Sequence, residues 1–286
     1  MIVPSSDILT QEVTSWTGLT LLHAEMSSCS QKVRLLMREK GLDYISRPID
    51  LAANEHTKPW YLGINARGVV PVLVHDGVVH IESNDILTYL DGLPSSAASF
   101  FPTNEAEQAR VEASLALEDS LHTALRVVTM GFMLPARLTT KSDEVLARWE
   151  KEGATNPNRL KEVKWWRDFA EHKGVTPAQA QQAVAQYIAA FTTLDEELAD
   201  QDWLLGDRLS VLDIAWFISA HRLVASGYPL HRHANLNAWY KRLLKRGSFR
   251  QETAGSAFIT HFFVPLYTGI RRLLGASLGK VVRDMR

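Results

Sequence analysis

Residues 19–41, LTLLHAEMSSCSQKVRLLMREKG, decide the fold of the first part of the chain. The opening letters, LTLLHA, form an apolar run of strand length, and residues 30–40 have the composition and spacing of a helix. Gly41 then stands where a helix commonly ends, because glycine adopts the left-handed conformation without steric cost. The segment therefore predicts a strand followed directly by a helix.

One more strand and a hairpin are predicted downstream. Residues 44–49 alternate in character, residues 54–68 are irregular, and residues 72–75 and 78–81 are β-branched runs separated by Asp76-Gly77. Asp-Gly between two such runs is a strong hairpin signal. We expect Ser83 to cap a helix that continues to about Leu90. The order is β-α-β, a connector, then β-β-α.

The sequence changes character after residue 92. A small, polar, proline-broken stretch follows, and nothing beyond it has strand periodicity. Asn104 with Glu107 predicts the start of a long helix to about Leu134, and Thr176-Pro177 and Asn156-Pro157 predict further starts. Ser210 with Asp213 forms a capping box. We expect an N-terminal extension (1–17), an α/β domain (18–92), a linker (93–103) and an all-helical domain (104–286).

Composition excludes several classes of protein. The 286 residues carry a formal net charge of −1, 46% are hydrophobic, and Cys29 is the only cysteine. Disorder, a disulfide scaffold and an overall field for nucleic acid are therefore excluded. The N-terminus lacks a secretory pattern, so a cytoplasmic location is expected. An apolar C-terminal stretch followed by basic residues leaves weak membrane-surface contact as a less favoured alternative.

The junction between the first strand and helix concentrates nucleophilic groups. Ser27, Ser28 and Cys29 fall where backbone N–H groups are unpaired and the helix dipole favours negative charge. This is a place to hold a thiolate. The alternative is structural: a serine only caps the helix, and Cys29 is an inert buried thiol.

Two further motifs favour the functional interpretation. Pro71 interrupts the entry to the third strand as a bulge or a cis turn, which leaves the Val70 backbone free to pair with a bound peptide. Glu82 and Ser83 offer a carboxylate and a hydroxyl to an α-amino acid end. A site that pairs with a peptide backbone, grips its amino-acid end and stabilises its thiolate is a glutathione site.

The chain resembles a cytosolic glutathione transferase along nearly its whole length. That resemblance implies a thioredoxin-like first domain (βαβ-ββα, mixed sheet), an all-α helical second domain, and a homodimer. The string SSCS-x-x-VR at residues 27–34 is similar to the zeta-class motif, which bacterial glutathione-dependent dehalogenases share in modified form.

The resemblance also implies roles for individual residues. Ser27 is expected to donate a hydrogen bond to the glutathione sulfur, and Cys29 matches a cysteine that forms mixed disulfides in the dehalogenases. The expected glutathione-binding residues are Ser28, His56, Val70, Pro71, Glu82 and Ser83. The Ser210 box matches a structural folding motif of the family.

The segment from Lys141 to Ala178 is longer than in a typical zeta enzyme. It contains three tryptophans and resembles an insertion in dehalogenase-like and β-aryl ether-cleaving members, and in the ganglioside-induced differentiation-associated proteins. We expect a substrate pocket between the domains, lined in part by Leu125, Met130 and Trp166.

Glutathione is accordingly predicted as co-substrate, activated for attack on a small hydrophobic electrophile in detoxification or aromatic catabolism. Alternatives are cis-trans isomerisation, reductive dehalogenation through Cys29, and a non-catalytic adaptor. No metal is predicted, because His221, His231 and His233 lack a carboxylate or thiolate at ligand spacing and are expected to be solvated.

Overall fold

The structure, a computed structural model, describes residues 1–152, 157–255 and 258–285. It divides into two compact units: Met1–Ser99 with Ser142–Trp165, and Phe100–Lys141 with Trp166–Arg286. The first unit is therefore discontinuous in sequence, and the domain bounds expected above stay a prediction. The predicted helix start at Asn156 lies outside the described residues.

A four-stranded mixed sheet forms the centre of the first unit. Its strands are β1 (Leu19–His23), β2 (Ile45–Pro48), β3 (Val72–His75) and β4 (Val78–His80). The order is β2-β1-β3-β4, with β2 parallel to β1 and the other two pairs antiparallel. This confirms the predicted mixed sheet, although β2 is an exposed edge strand.

The hairpin turn between β3 and β4 forms as the Asp-Gly pair predicts. Asp76 has φ of 47° and Gly77 has φ of 79°, the positive values that a type I′ turn requires at both central residues. A Cβ atom at Gly77 would lie 2.2 Å from the Thr14 carbonyl oxygen, so the N-terminal segment packs directly on this turn.

The N-terminal extension is part of the first unit. Ile2 forms a bridge with His80 at the β4 edge, and the Val3 N–H donates to the Val79 carbonyl oxygen. Ile8 and Val13 are buried in the apolar cluster that also holds Leu22 of β1. The extension therefore covers the sheet edge and contributes to the core.

Fourteen α-helices lie within the described residues. They are α1 (Ser28–Lys40), α2 (Pro59–Leu62), α3 (Ser83–Asp91), α4 (Glu105–Ser120), α5 (His122–Val128), α6 (Ala136–Thr139), α7 (Asp143–Glu152), α8 (Pro157–Glu171), α9 (Pro177–Glu197), α10 (Val211–Ala225), α11 (Ala234–Leu243), α12 (Gly247–Ala254), α13 (Val264–Leu273) and α14 (Leu278–Asp284). Short 3₁₀ or π turns occupy Ser5–Asp7, Gln11–Ser15, Glu55–Thr57, Thr129–Met133, Leu230–Arg232 and Phe258–Phe263.

In the first unit, the predicted C-terminal end of α1 is confirmed and the predicted N-cap of α3 is wrong. Helix α1 ends at Gly41, which is left-handed as expected. The predicted cap of α3 was wrong: Glu82, with φ of 67°, is the N-cap residue, and Ser83 is the buried first residue of the helix. The glutamate's own side chain makes no capping hydrogen bond.

The second unit is helical as predicted, but its first long helix was predicted wrongly as continuous. Asn104 caps α4 by accepting from the Glu107 N–H, yet the helix ends at Ser120, and α5 and a π turn follow before Pro135. Thr176 forms a capping box with Gln179, which confirms the start of α9.

Asp213 is the buried polar centre of the second unit. Its carboxylate accepts from the Ser210 N–H and hydroxyl at 2.8 Å each, from the Leu204 N–H at 3.0 Å, and from Trp239 Nε1 at 2.7 Å. Burial raises the pKa of this carboxyl, and the hydrogen bonds oppose that rise. The Ser210 motif therefore serves to fix α10, as the family resemblance implied.

Two histidines expected to be solvated are packed instead. His221 Nδ1 lies 2.8 Å from the Tyr240 hydroxyl, and its ring stacks on Phe217. His233 is buried beside Tyr228. The His221 ring is half-buried against the core, and the His233 ring is buried within it. Among the described residues, no helix is long and apolar enough to cross a membrane.

Candidate functional site

One edge of the sheet brings together three of the segments that carry predicted glutathione-binding residues. Leu22 pairs with Val72 and Leu73 with His80, so the end of β1, the entry to β3 and the end of β4 meet at the same edge. The N-termini of α1 and α3 both follow from that edge. The register therefore places the segments around Ser27, Val70 and Glu82 side by side.

Ser27 is the N-cap residue of α1, and its side chain is partly exposed. Its Oγ accepts from the Ser30 N–H at 3.3 Å. A hydroxyl that accepts in this way retains its own proton for donation, so the structural and functional roles of Ser27 are compatible. Ser28 and Cys29 are also partly exposed in the first turn, at the positive end of the helix dipole.

Arg34 fixes the loop that precedes Ser27. Its guanidinium donates to the Ala24 carbonyl at 3.0 Å, to the Glu25 carbonyl at 2.9 Å and to His23 Nδ1 at 2.9 Å. Burial, and then the Arg34 charge, lower the pKa of His23 to about 4. His23 is therefore neutral near pH 7, with Nε2 bearing the proton and donating to Ser46 Oγ at 2.7 Å.

The Val69-Val70-Pro71 segment is held from one side. The Tyr61 hydroxyl and Asn65 Nδ2 both donate to the Val69 carbonyl oxygen, at 2.7 and 3.0 Å. The Val70-Pro71 peptide bond is cis. Since a trans peptide points its C=O and N–H in opposite directions, the Val70 N–H is directed away from Tyr61 and Asn65.

Glu82 is anchored by a basic side chain from the connector. Its carboxylate forms an ion pair with Arg67. Next to it, Asn84 accepts from the buried Lys32 Nζ at 3.1 Å, which ties α3 to α1. The sequence patterns gave no signal for Lys32 or Arg67, because each partner is distant along the chain, whereas Arg34 is the arginine of the SSCS-x-x-VR string.

The inserted segment contributes to the first unit beside His56. Trp149 of α7 is buried, meets the His56 ring edge-on at 5.7 Å and donates through Nε1 to Thr57 Oγ1 at 3.1 Å. Arg159 of α8 lies 5.2 Å from the Trp149 ring centroid and donates to the Arg67 carbonyl at 3.2 Å. The insertion thus supports the connector from which His56 projects.

The three predicted pocket residues belong to the second unit and differ in exposure. Leu125 and Trp166 are buried, with Trp166 packed against Phe169 and near the Lys141 ammonium. Met130 is partly exposed. Of the three, only Met130 has a solvent-accessible side chain. The substrate pocket stays a prediction.

Residues 26–93 match the family described as glutathione S-transferase, N-terminal domain, and residues 177–242 match glutathione S-transferase, C-terminal domain. The chain belongs to the glutathione S-transferase superfamily. The thioredoxin-like first domain and helical second part predicted from the sequence are confirmed.

Individual relatives agree with the family. Glutathione S-transferase hmp2 of Hypomyces subiculosus is 26% identical, covering 82% of this chain and 98% of its own. Protein LigF of a Sphingobium strain is 26% identical over 78% of this chain and 88% of its own. The human ganglioside-induced differentiation-associated protein 1-like 1 is 23% identical over 82% and 73%.

Solved structures share the fold. The crystal structure of the β-etherase LigF superposes with a TM-score of 0.71 at 24% identity, covering 82% of this chain and 98% of that one. A poplar glutathione transferase F7 gives 0.62 at 22% identity, with 82% and 97% coverage. Together these relatives support a glutathione-dependent transferase activity.

Glutathione is the co-substrate that this family uses. Among the residues that the structure describes, no group of three or more histidine, cysteine or acidic side chains is arranged to hold a metal ion.

Proposed function

We propose that the protein lowers the thiol pKa of glutathione with Ser27 and directs the thiolate at a small hydrophobic electrophile. The observation that carries the proposal is the state of Ser27: a partly exposed N-cap hydroxyl whose oxygen accepts from Ser30 while its proton is available. A thiolate at this position would receive that proton's hydrogen bond and the favourable end of the α1 dipole.

Other predicted residues would bind the rest of the tripeptide. The Val70 N–H is directed away from the groups that hold Val69 and suits pairing with the cysteinyl backbone. Glu82 and Ser83 suit the α-amino and carboxylate groups of the γ-glutamyl end, and His56 suits the glycyl end. Ser28 and Pro71 complete the proposed contact set.

The required stabilisation is modest. A free thiol with a pKa of about 8.5 is roughly 3% ionised at pH 7, and lowering that pKa to about 6.5 gives roughly 75%. The ionised fraction thus rises about 25-fold, and the two-unit shift in the thiol pKa requires about 2.7 kcal/mol of differential stabilisation. One charge-assisted hydrogen bond together with a helix N-terminus supplies energy of that order.

For the electrophile, we propose an aryl ether or a related hydrophobic aromatic compound. The support is the similarity to a protein named β-etherase. In the proposed step, the glutathione sulfur forms a bond to the substrate carbon, the carbon–oxygen bond breaks, and the leaving oxygen takes a proton from solvent. An aryl halide would react in the same way with halide as the leaving group.

The proposal is tested by calorimetric titration of glutathione into the wild type and into Ser27→Ala, with the ultraviolet thiolate absorbance of bound glutathione followed against pH. We expect binding with a depressed thiol pKa in the wild type and a higher thiol pKa in Ser27→Ala. Ser27→Thr keeps the hydroxyl and the cap and should retain most of the depression, whereas Ser27→Gly, which costs the helix cap little but has no hydroxyl, should lose it; this pair separates thiolate stabilisation from helix capping. A thiol pKa equal in Ser27→Ala and wild type would refute the role of Ser27.

A second candidate places Cys29 at the centre, since its thiol is partly exposed in the same helical turn. It would form a mixed disulfide with glutathione, or act as the resolving thiol in reductive dehalogenation. In the latter case the Cys29 thiolate attacks the sulfur of a glutathione–substrate thioether, a Cys29–glutathione disulfide forms, the carbon–sulfur bond breaks, and the substrate carbon takes a proton from solvent. Cys29→Ala would then abolish turnover, while Ser27→Ala would only slow it. The opposite pattern of activities is expected from the proposal above.

A further inference from the structure

Helix α13, Val264–Leu273, has an unusual distribution of apolar and charged side chains. Leu266, Ile270 and Leu273 are spaced i, i+4 and i+7, so they lie on one face, and their exposed fractions are 52%, 46% and 89%. The charged Arg271 instead turns inward, with its guanidinium 4.9 Å from the Phe132 ring centroid. An ordinary surface helix has the opposite arrangement.

The exposed apolar side chains form a continuous stripe. Phe262, one turn before Leu266, is 59% exposed, and Leu274 at the end of the helix is 75% exposed. We call Phe262, Leu266, Ile270, Leu273 and Leu274 the C-terminal stripe. Scattered exposed apolar residues are normal, whereas a concentrated patch marks an interaction surface. Among the described residues, five of the fifteen exposed large hydrophobic side chains lie in these thirteen positions.

Positive charge adjoins the stripe. Arg272, Lys280 and Arg283 are exposed, and Asp284 is the only carboxylate side chain between residues 261 and 285. Lys280 lies at the end of α13, since its Nζ is 3.9 Å from where a Cβ at Gly275 would be. Cations flanking an apolar face complement a surface that is anionic outside and hydrocarbon beneath.

The stripe is attached to the folded second unit. Helix α14 follows within the same chain segment and buries Leu278 and Val282, and Arg232 donates to the Val282 carbonyl at 3.2 Å. Arg271 closes the turn after α13 by donating to the Ala276 carbonyl at 2.8 Å. The apolar face is therefore presented by anchored helices.

We propose that the C-terminal stripe docks on an anionic lipid bilayer. Helix α13 would lie in the headgroup plane with the five apolar side chains inserted, while Arg272, Lys280 and Arg283 contact lipid phosphates or carboxylates. The attachment would be peripheral and reversible, because it depends on one short helix and three cations. It would bring the transferase close to hydrophobic compounds dissolved in the membrane.

The test uses the full chain with vesicles of phosphatidylcholine, alone or containing phosphatidylserine. We expect sedimentation with the phosphatidylserine vesicles at low salt, and binding about 100-fold weaker to phosphatidylcholine alone, since each basic side chain near the surface contributes about fivefold. The variant Leu266→Glu/Leu273→Glu should bind at least about tenfold more weakly than the wild type. The matched control, Leu117→Glu/Leu138→Glu, places two charges at exposed leucines outside the stripe and should bind as the wild type does.

Other outcomes overturn the proposal. Absence of vesicle binding by the wild type at low salt, or equal loss in the control variant, excludes a specific lipid-docking stripe. If sedimentation velocity shows that the wild type self-associates and Leu266→Glu/Leu273→Glu dissociates it, a second copy covers the stripe. Glutathione binding by the same variants reports on the proposed function separately, because neither leucine belongs to the proposed thiolate site.

Discussion

Replacing Arg159 by alanine tests whether the inserted segment supports the glutathione-binding unit. Arg159 is 5% exposed, donates to the Arg67 carbonyl, lies against the Trp149 ring and pairs with Glu162 at 3.4 Å. A hydrogen bond from a charged donor contributes about 1.5–3 kcal/mol, and a partly desolvated cation–π contact about 0.5–2 kcal/mol. Because one side chain makes both contacts, their energies are not simply additive.

We expect Arg159→Ala to lower the free energy of unfolding by about 2–4 kcal/mol, measured by urea denaturation followed by tryptophan fluorescence. Lys164→Ala removes an exposed cation from the same helix and should change it by less than about 0.5 kcal/mol. Since Arg67 also pairs with Glu82, Arg159→Ala should weaken glutathione binding by about threefold to tenfold through displacement of the site. Equal stability of the two variants would refute a supporting role for the insertion.

Three other perturbations have defined outcomes. Gly77→Ala should lower the free energy of unfolding by at least about 2 kcal/mol, measured by denaturant unfolding. The φ of 79° disfavours a side chain, and a Cβ atom would lie 2.2 Å from the Thr14 carbonyl oxygen. A variant as stable as the wild type would show that the N-terminal segment moves aside without loss of stability. Asp213→Ala should cost about 3–5 kcal/mol by the same assay, since it leaves four buried donors without their acceptor, and a loss under 1 kcal/mol would contradict that. Burial lowers the pKa of His23, His80 and His221 to about 4. Between pH 4 and about pH 6.5 the unfolded chain therefore binds more protons than the folded protein. The free energy of unfolding should be highest above about pH 6.5 and decline toward pH 4, by at most about 1.4 kcal/mol per pH unit for each histidine. A flat profile of unfolding midpoints across that range would show that these histidines titrate normally.

Local sequence signals predicted the elements whose causes are local. Asp76-Gly77 predicted a turn that both residues form with positive φ, and Gly41 and Thr176 predicted helix ends through backbone and capping preferences. The mixed sheet followed from the order of these elements. Each of these features depends on interactions between residues that are close together in the chain, and such interactions can be recognised from the sequence alone.

Features that depend on distant partners were missed or misplaced. Ser83 had the right chemistry for a cap, but the chain turns one residue earlier, at Glu82. The segment from Glu105 to Met133 has no proline, yet it breaks at Leu121 and becomes a π turn after Val128. His221 and His233 were expected in solvent because no metal-ligand partner lies near them in sequence, whereas aromatic rings that are near them only in the fold pack against them.

In the candidate site as well, residue types were predictable from the sequence and distant contacts were not. The residue types at Ser27, Cys29, Val70 and Glu82 were enough to suggest a glutathione site, and the strand register places their segments at one edge. The groups that hold these segments, such as Tyr61 and Arg159, donate to backbone carbonyls and belong to no sequence motif. Carbonyl partners leave no pattern in the residue letters, so only the structure identifies them.

The discontinuity of the first unit has a consequence for the order in which the chain is completed. When synthesis reaches residue 99, all four strands of the sheet have been made, but Trp149 and Arg159 have not. Until residue 165 has emerged, the connector around His56 and Arg67 lacks the aromatic and cationic side chains that later pack on it. A nascent or truncated fragment ending in the 93–103 stretch would therefore leave the His56 ring, the Thr57 hydroxyl and the Arg67 carbonyl without these contacts, and its connector would be less stable than that of the complete first unit.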